Sequence, residues 1–254
     1  MPASIRFGRS GASYLTRTTG LPPVTNWLTW MAWVMPLSTP NTNNYVVQML
    51  PGVYLYYTAT LWVIPDYTGG WLSIGSVTPA GTWEHIAFVN NGSGAGNARY
   101  YRGGKYYDKA TGCTTTTPVT AIWLGQASLG AYWGDFRLAG LKLWNRPLSD
   151  AEVAAEAQFA LPVNRAGLNS CYPVPNGWDM LSSGVAYPRS ALTRWADWSG
   201  NGLEWTETGT IDTEDGPPIL WSPLSARRSL GLRGAGGFPP GGIWRPLVHS
   251  QRAA

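Results

Sequence analysis

The chain has 254 residues, of which 13% are charged and 13% aromatic, with 15 Trp, 13 Tyr, 31 Gly and 20 Pro. So many β-favouring rings among so many breakers argue for short strands joined by loops and exclude a helical bundle. The net charge of +4 belongs to the end of the chain: residues 1–215 carry 13 Lys and Arg against 14 Asp and Glu, while 216–254 carry five Arg and no acid. The body therefore gives no electrostatic reason to expect nucleic acid, whereas the tail could touch an acidic surface.

Residues 3–18 alternate well enough for two short strands, joined at Gly8-Arg9-Ser10-Gly11 as a glycine-bearing hairpin. From Trp27 to Val34 the chain is apolar at both parities, as a strand covered on both faces requires, which places it centrally. Tyr45–Met49, Val53–Tyr57, Thr60–Ile64 and Trp71–Ile74 are shorter β runs between Pro and Gly breaks and suggest an antiparallel meander. Trp83–Val89 precedes a polar, flexible loop, Asn90 to Asn97, and a strand pair turns at Gly103-Gly104, where both residues accept positive φ. Residues 110–117, rich in Thr, are β-compatible and lead to Pro118.

Residues 121–156 are the most informative stretch. Phe136 to Trp144 alternates as an extended strand, Asn145-Arg146-Pro147 stops it, and Ser149 caps a short helix with Asp150 and Glu152 in its first turn. The run Gly-Asp-Phe-Arg-Leu-Ala-Gly-Leu-Lys-Leu-Trp-Asn-Arg-Pro-Leu-Ser-Asp-Ala-Glu-Val, residues 134–153, resembles the last core strand and following helix of laminin-G-like, concanavalin A-like jelly rolls. Ser4-Ile5-Arg6-Phe7-Gly8 through Tyr14-Leu15, Trp27 to Pro36 and Gly81 to Val89 are similar to other strands of that family, so the resemblance covers roughly residues 3–160. It implies an all-β sandwich over residues 1–162. Residues 163–224, broken by prolines, form an irregular extension without a second core, and 225–254 a Gly/Pro/Arg-rich assembly arm. Within the extension, Asp197-Trp198-Ser199-Gly200-Asn201-Gly202 is similar to a turn that precedes the first strand in this family; from its displaced position it could still add to the same sheet.

Because the family includes glycosidases, a pair of carboxylates is the first chemistry to seek. Glu207 to Asp215 has the wrong spacing for such a pair, and hydrolysis would have to rest on Glu204, Glu207 or Asp212. His85 is expected to be packed and hydrogen-bonded in a core strand. Cys113 and Cys171 are too few for a metal-ligand spacing and leave their pairing open, with a buried pair of thiols the plain reading. The family's rim calcium could find Asp135, Asp197 and Asn201, but turn capping is the stronger reading, and no cofactor is expected. What remains is binding: exposed rings stack on sugars, and Tyr56, Trp62, Tyr67, Trp71, Tyr132 and Trp133 are the candidates, with Tyr54 and Tyr57 beside them.

The longest apolar run, Trp27 to Leu37, is about half of the ~20 residues that a membrane helix needs. Met1-Pro2-Ala3 leads straight into a strand-like sequence, so no signal peptide is read and synthesis in a host cytoplasm is expected. The expectation is a non-enzymatic bacteriophage-type virion component, such as a decoration, head-fibre or tail-associated protein. It would assemble with itself or other virion proteins through Arg227, Arg228, Phe238, Trp244 and Arg245 and present its sandwich to glycans. A lectin-like module of a cell-surface or secreted protein is the alternative, and a glycoside hydrolase the third class.

Overall fold

The computed structural model describes residues 3–8, 13–22, 27–38, 43–50, 53–66, 70–92, 94–112, 118–127, 133–173, 197–209 and 211–220. Among these residues fifteen strands and one helix follow in chain order: β1 (Ala3–Phe7), β2 (Tyr14–Arg17), β3 (Trp27–Pro36), β4 (Asn44–Leu50), β5 (Val53–Tyr57), β6 (Leu61–Asp66), β7 (Gly70–Ser76), β8 (Glu84–Asn91), β9 (Gly94–Arg102), β10 (Lys105–Gly112), β11 (Ala121–Leu124), β12 (Phe136–Trp144), α1 (Asp150–Glu156), β13 (Leu168–Tyr172), β14 (Thr206–Thr208) and β15 (Asp212–Asp215). They form two antiparallel sheets. The first runs β10-β9-β8-β3-β12-β1-β15 with β13 also on β12, and the second runs β14-β2-β11-β4-β5-β6-β7.

The space between the sheets is filled by the inward parity of each strand, including Phe7, Leu15, Trp30, Tyr57, Trp62, Phe88 and Tyr100. A second cluster lies on the other face of the first sheet, where Met31, Ala87, Val89, Tyr101 and Trp144 meet Leu148 and Val153 at the helix. This is why β3 and β12 are apolar at both parities: one face meets the opposite sheet and the other is roofed by α1. Three of the tryptophans are used in this way, Trp30 and Trp62 in the central core and Trp144 in the roofed one. The helix begins as its sequence demands, with a capping box in which the Ser149 side chain accepts from the Glu152 amide and the Glu152 carboxylate from the Ser149 amide.

Two local expectations are corrected. β1 and β2 do not form a hairpin: β1 pairs with β12 and β15, β2 with β11 and β14, in opposite sheets. Alternation specifies a strand but says nothing of its partner. The polar stretch from Asn90 to Asn97 is mostly strand, because β8 extends to Asn91 and β9 starts at Gly94. The Gly103-Gly104 turn has φ of 56° and 76° and joins β9 to β10 directly.

The extension contributes to both sheets. β13 pairs with β12, β14 with β2, and β15 with β1, placing Asp215 opposite Ala3. Asp197 anchors this return: its Oδ1 accepts from the Cys171 and Ser199 amides and its Oδ2 from the Ser199 hydroxyl and the Leu203 amide.

Candidate functional site

The outward face of the second sheet holds the arrangement with the clearest chemical character. Leu15, Ile122, Leu124, Val47, Met49, Val53 and Leu55 point into the core, so the residues of opposite parity point away from it. Register brings five of these into one line across the strands: Thr206 opposite Thr16, Thr16 opposite Trp123, Trp123 opposite Gln48, and Gln48 opposite Tyr54. Directly opposed residues share a face. Four interstrand steps of about 4.8 Å make the row about 19 Å long. Thr206 is exposed and the other four are half-buried, and none of the five is charged.

Further rings support both ends. Tyr14 lies 5.4 Å from the Trp123 ring and 5.9 Å from that of Trp133. At the other end Tyr54 is 6.2 Å from Tyr45 and 6.1 Å from Tyr56, which stack on each other at 5.0 Å. These are the separations at which ring quadrupoles attract in tilted or offset pairs. Burial, and then the neighbouring Tyr45, push the Tyr56 hydroxyl up to about 12, and burial carries Tyr54 further, so both remain neutral phenols. Two shielded polar atoms of this region, Trp123 Nε1 and Gln126 Oε1, have no hydrogen-bond partner.

The sugar-facing candidates separate in the structure. Trp62 is wholly buried in the central core, its ring edge-on to Tyr57 at 5.3 Å and its Nε1 donating to Glu84 Oε2 at 2.9 Å, so it cannot stack on an external ligand. Tyr57 is equally buried, and Tyr56, 6% exposed, lies beside the row, two residues along β5 from Tyr54 on the same face. Trp133 is half-buried beside Tyr14. Trp71 lies on β7 with its side chain outside the described residues, as are Tyr67 and Tyr132 entirely. Tyr14, Gln48 and Trp123 were not singled out by sequence, although Trp123 has the opposite parity to Ile122 and Leu124.

The calcium candidates are not brought to one place. Asp197 spends its carboxylate on the four donors above, and Asn201 Nδ2 donates to the Leu168 and Asn169 carbonyls. Asp135 precedes β12, whereas Cys171, bonded to Asp197, is opposite Lys142. Seven residues of strand, roughly 20 Å, therefore separate Asp135 from the other two. Among the described residues no group of three or more His, Cys, Asp or Glu side chains is placed to hold a metal ion.

Acid–base groups are dispersed or engaged. Glu204 and Glu207 are exposed, and Glu214 is held by Arg6 at 3.0 Å and by Arg137. Glu84 is bound by Arg102, Thr78 and Trp62. His85 is packed as expected, edge-on to Trp33 at 5.5 Å, with its Nδ1 unpartnered. Burial, followed by the Lys142 charge, lowers its pKa to about 3. Cys171 is a free buried thiol, while Cys113 lies outside the described residues.

A cleft of about 500 Å³ opens on the other sheet, between Trp33, the Gly103-Gly104 turn, Ala157 of the segment following α1, and Leu220. Its one indole donor is already used, Trp33 Nε1 bonding the Ala157 carbonyl at 3.1 Å. The proposed arm residues Arg227, Arg228, Phe238, Trp244 and Arg245 lie outside the described residues.

The fold is similar to that of a Bacteroides ovatus protein named as a carbohydrate binding protein, with a TM-score of 0.60 and 12% identity, over 87% of this chain and 62% of that one. It is also similar to the native heptameric SAP-like pentraxin of Limulus polyphemus, with a TM-score of 0.54 and 13% identity, over 85% of this chain and 95% of that one. This chain thus spans less than two thirds of the Bacteroides protein. Among curated proteins none matches the chain in sequence. A family model described as the concanavalin A-like lectin/glucanases superfamily matches residues 8–154.

Proposed function

The chain belongs to the concanavalin A-like lectin/glucanases superfamily, and from that premise we propose that it is a non-catalytic glycan-binding protein. The observation that carries this reading is the uncharged row Thr16–Trp123–Gln48–Tyr54 on the outward face of the second sheet. Rings bordered by hydroxyls and an amide suit a ligand with apolar faces and polar edges. Hydrolysis would need two carboxylates across a sugar bond, and the row contains none. The Bacteroides protein's name agrees with this reading.

The wider setting proposed is a virus particle of bacteriophage type, assembled in a host cytoplasm, with residues 225–254 joining copies of this chain or other particle proteins. Its support is compositional: Arg227, Arg228 and Arg245 without an acid, and Phe238 and Trp244 as isolated apolar anchors among Gly and Pro. A lectin-like module outside any particle is the competing setting.

A glycan array probed with the full chain and with Trp123→Ala tests the binding function. Binding lost with Trp123→Ala and unchanged by a chelator is expected, since the calcium candidates are not brought together; release of reducing sugar would overturn the non-catalytic reading. Light scattering on the full chain and on one ending at Pro223 tests the particle role. An oligomer that the truncation abolishes is expected, and two monomers would sink it.

A further inference from the structure

Resting on the reading of residues 225–254 as an arm that joins copies, we propose where that arm lands: Phe238, carried with Pro239 and Pro240, fills the cleft over Trp33 of a second copy of this chain. The cleft, about 500 Å³, lies within the range of about 300–1,000 Å³ that small-molecule sites occupy. Its floor is fixed, because Trp33 Nε1 is tied to the Ala157 carbonyl at 3.1 Å and His85 meets the indole edge-on at 5.5 Å. Its sides are small, with Gly103, Gly104, Ala154 and Ala157 among them, so a ring can approach the half-buried indole without meeting a branched side chain. On the remaining wall Leu220 is 40% exposed although its backbone is clamped, its amide donating to the Gln158 carbonyl at 3.2 Å and its carbonyl accepting from the Ala160 amide at 2.9 Å. Covering that side chain removes apolar surface from water with no cost of ordering it.

The chemistry of the cleft selects the occupant. Its donors serve the body itself: the Trp33 indole and the Leu220 amide are bonded as above, and Gln158 Nε2 donates to the Ala154 carbonyl at 3.4 Å. A visitor rich in hydroxyls or amide protons would bury them unpaired, whereas Phe238-Pro239-Pro240 brings a ring and two residues that have no N–H. Each proline also restricts the residue before it to extended conformations, so less freedom is lost on docking, and aromatic-lined grooves are what such segments enter. Charge separates this anchor from the arm's other one. The described lining holds one charged residue, Lys105, and no acid. Trp244 brings Arg245 with it, a second cation with no partner there, while Phe238 lies between Gly236-Gly237 and Gly241-Gly242 with no charge at all. Reach sets the geometry. Phe238 comes 18 residues after Leu220, and chain statistics for a Gly-rich segment of that length give about 23 Å, against a radius of gyration of about 18 Å for a body of this size. The two clefts therefore face each other, each copy giving out its arm beside the cleft that receives the other's, a reciprocal exchange that closes on itself.

The test puts a photo-crosslinking residue into the arm of the full chain, Phe238→benzoylphenylalanine. Unlabelled and isotope-labelled copies are unfolded together, refolded, checked by light scattering for the parent's mass, irradiated and read by mass spectrometry. Crosslinks to Trp33, Ala154 or Leu220 that join a light peptide to a heavy one are expected. Phe238→Ala and Leu220→Glu, the latter at an exposed side chain, should each reduce the mass to that of one copy, while Leu61→Glu, similarly exposed on the second sheet, should keep the parent's mass. Crosslinks that fall outside the cleft, or an oligomer that survives both Phe238→Ala and Leu220→Glu, would overturn the docking site. Crosslinks confined to single copies would overturn the second copy as partner. Each of these results leaves the arm standing as the joining element if truncation at Pro223 still abolishes the oligomer, whereas a monomeric full chain would overturn both.

Discussion

Lys142 and Glu156 form an ion pair sealed between β12 and α1, with Nζ 2.7 Å from Oε2 and side chains only 2% and 0% exposed. The pair is fully dressed. Lys142 Nζ also donates to the Glu156 carbonyl at 2.9 Å, and Glu156 Oε1 accepts from the amides of Val163 and Asn164 at 2.8 and 2.6 Å. One carboxylate thus fixes the helix and the turn after it to the sheet. Removing either partner leaves a buried charge alone, at a cost of about 3–5 kcal/mol. Lys142→Ala and Glu156→Ala should therefore lower the urea midpoint sharply, whereas Glu156→Gln, which keeps an acceptor for the two amides, should cost less. Equal effects of the two Glu156 substitutions would refute this.

His85 makes stability depend on acidity. Its folded pKa, about 3, lies below the ordinary value of 6.5 because burial resists the charged form and Lys142 repels it. The unfolded state therefore takes up the proton first as pH falls. His85 costs nothing above pH 6.5, and stability is lost between 6.5 and 3 at up to about 1.4 kcal/mol per unit. Glu152, held to about 2 chiefly by its hydrogen bonds from Arg146, adds its own loss only below about 4.5. Between pH 6.5 and 4.5 the His85→Leu variant should show a flatter stability profile than the parent by denaturant titration. Parallel profiles would count against it.

Cys171 should be inert in the native state. Burial pushes its thiol up to about 12, and the thiolate is the reacting form. In a Cys113→Ser background, a thiol reagent at pH 8 should label the protein only after denaturant is added. Rapid native labelling would contradict the placement of β13.

The two glycines of the β9–β10 turn should differ in tolerance. Both have positive φ, but a Cβ on Gly103 meets nothing within 4 Å, whereas one on Gly104 lies 2.8 Å from the Ala157 Cβ. Gly103→Ala pays for backbone strain alone, about 1 kcal/mol, and Gly104→Ala adds a clash with the segment that follows α1. Thermal melts should rank Gly104→Ala clearly below Gly103→Ala.

Much of the fold was legible where a strand carries the same character at both parities. β3 and β12 announce a two-sided burial that the opposite sheet and α1 then provide, and Ser149 and Glu152 announce the helix start. Partnering was not legible: β1 and β2 alternate as a hairpin would, yet each bonds elsewhere. The Lys142–Glu156 pair was hidden because its members sit on different elements and neither has an unusual neighbour in sequence. Part of the site was visible as an aromatic excess, but Trp62 and Tyr54 carry the same chemical signal and only the register tells the core ring from the outward one. Trp123 could have been found from its parity between Ile122 and Leu124; that Gln48 lies between it and Tyr54 depends on long-range pairing.

The pairing of Ala3–Arg6 with Asp212–Asp215 has a consequence for biosynthesis. β1 waits for β15, since more than 200 residues must be polymerised between them before that edge of the first sheet can close. At about 5–20 residues per second that wait is on the order of ten seconds or more. During it the nascent sandwich exposes open edges on β1 and β2, so the unfinished polypeptide should depend on chaperones far more than the completed one.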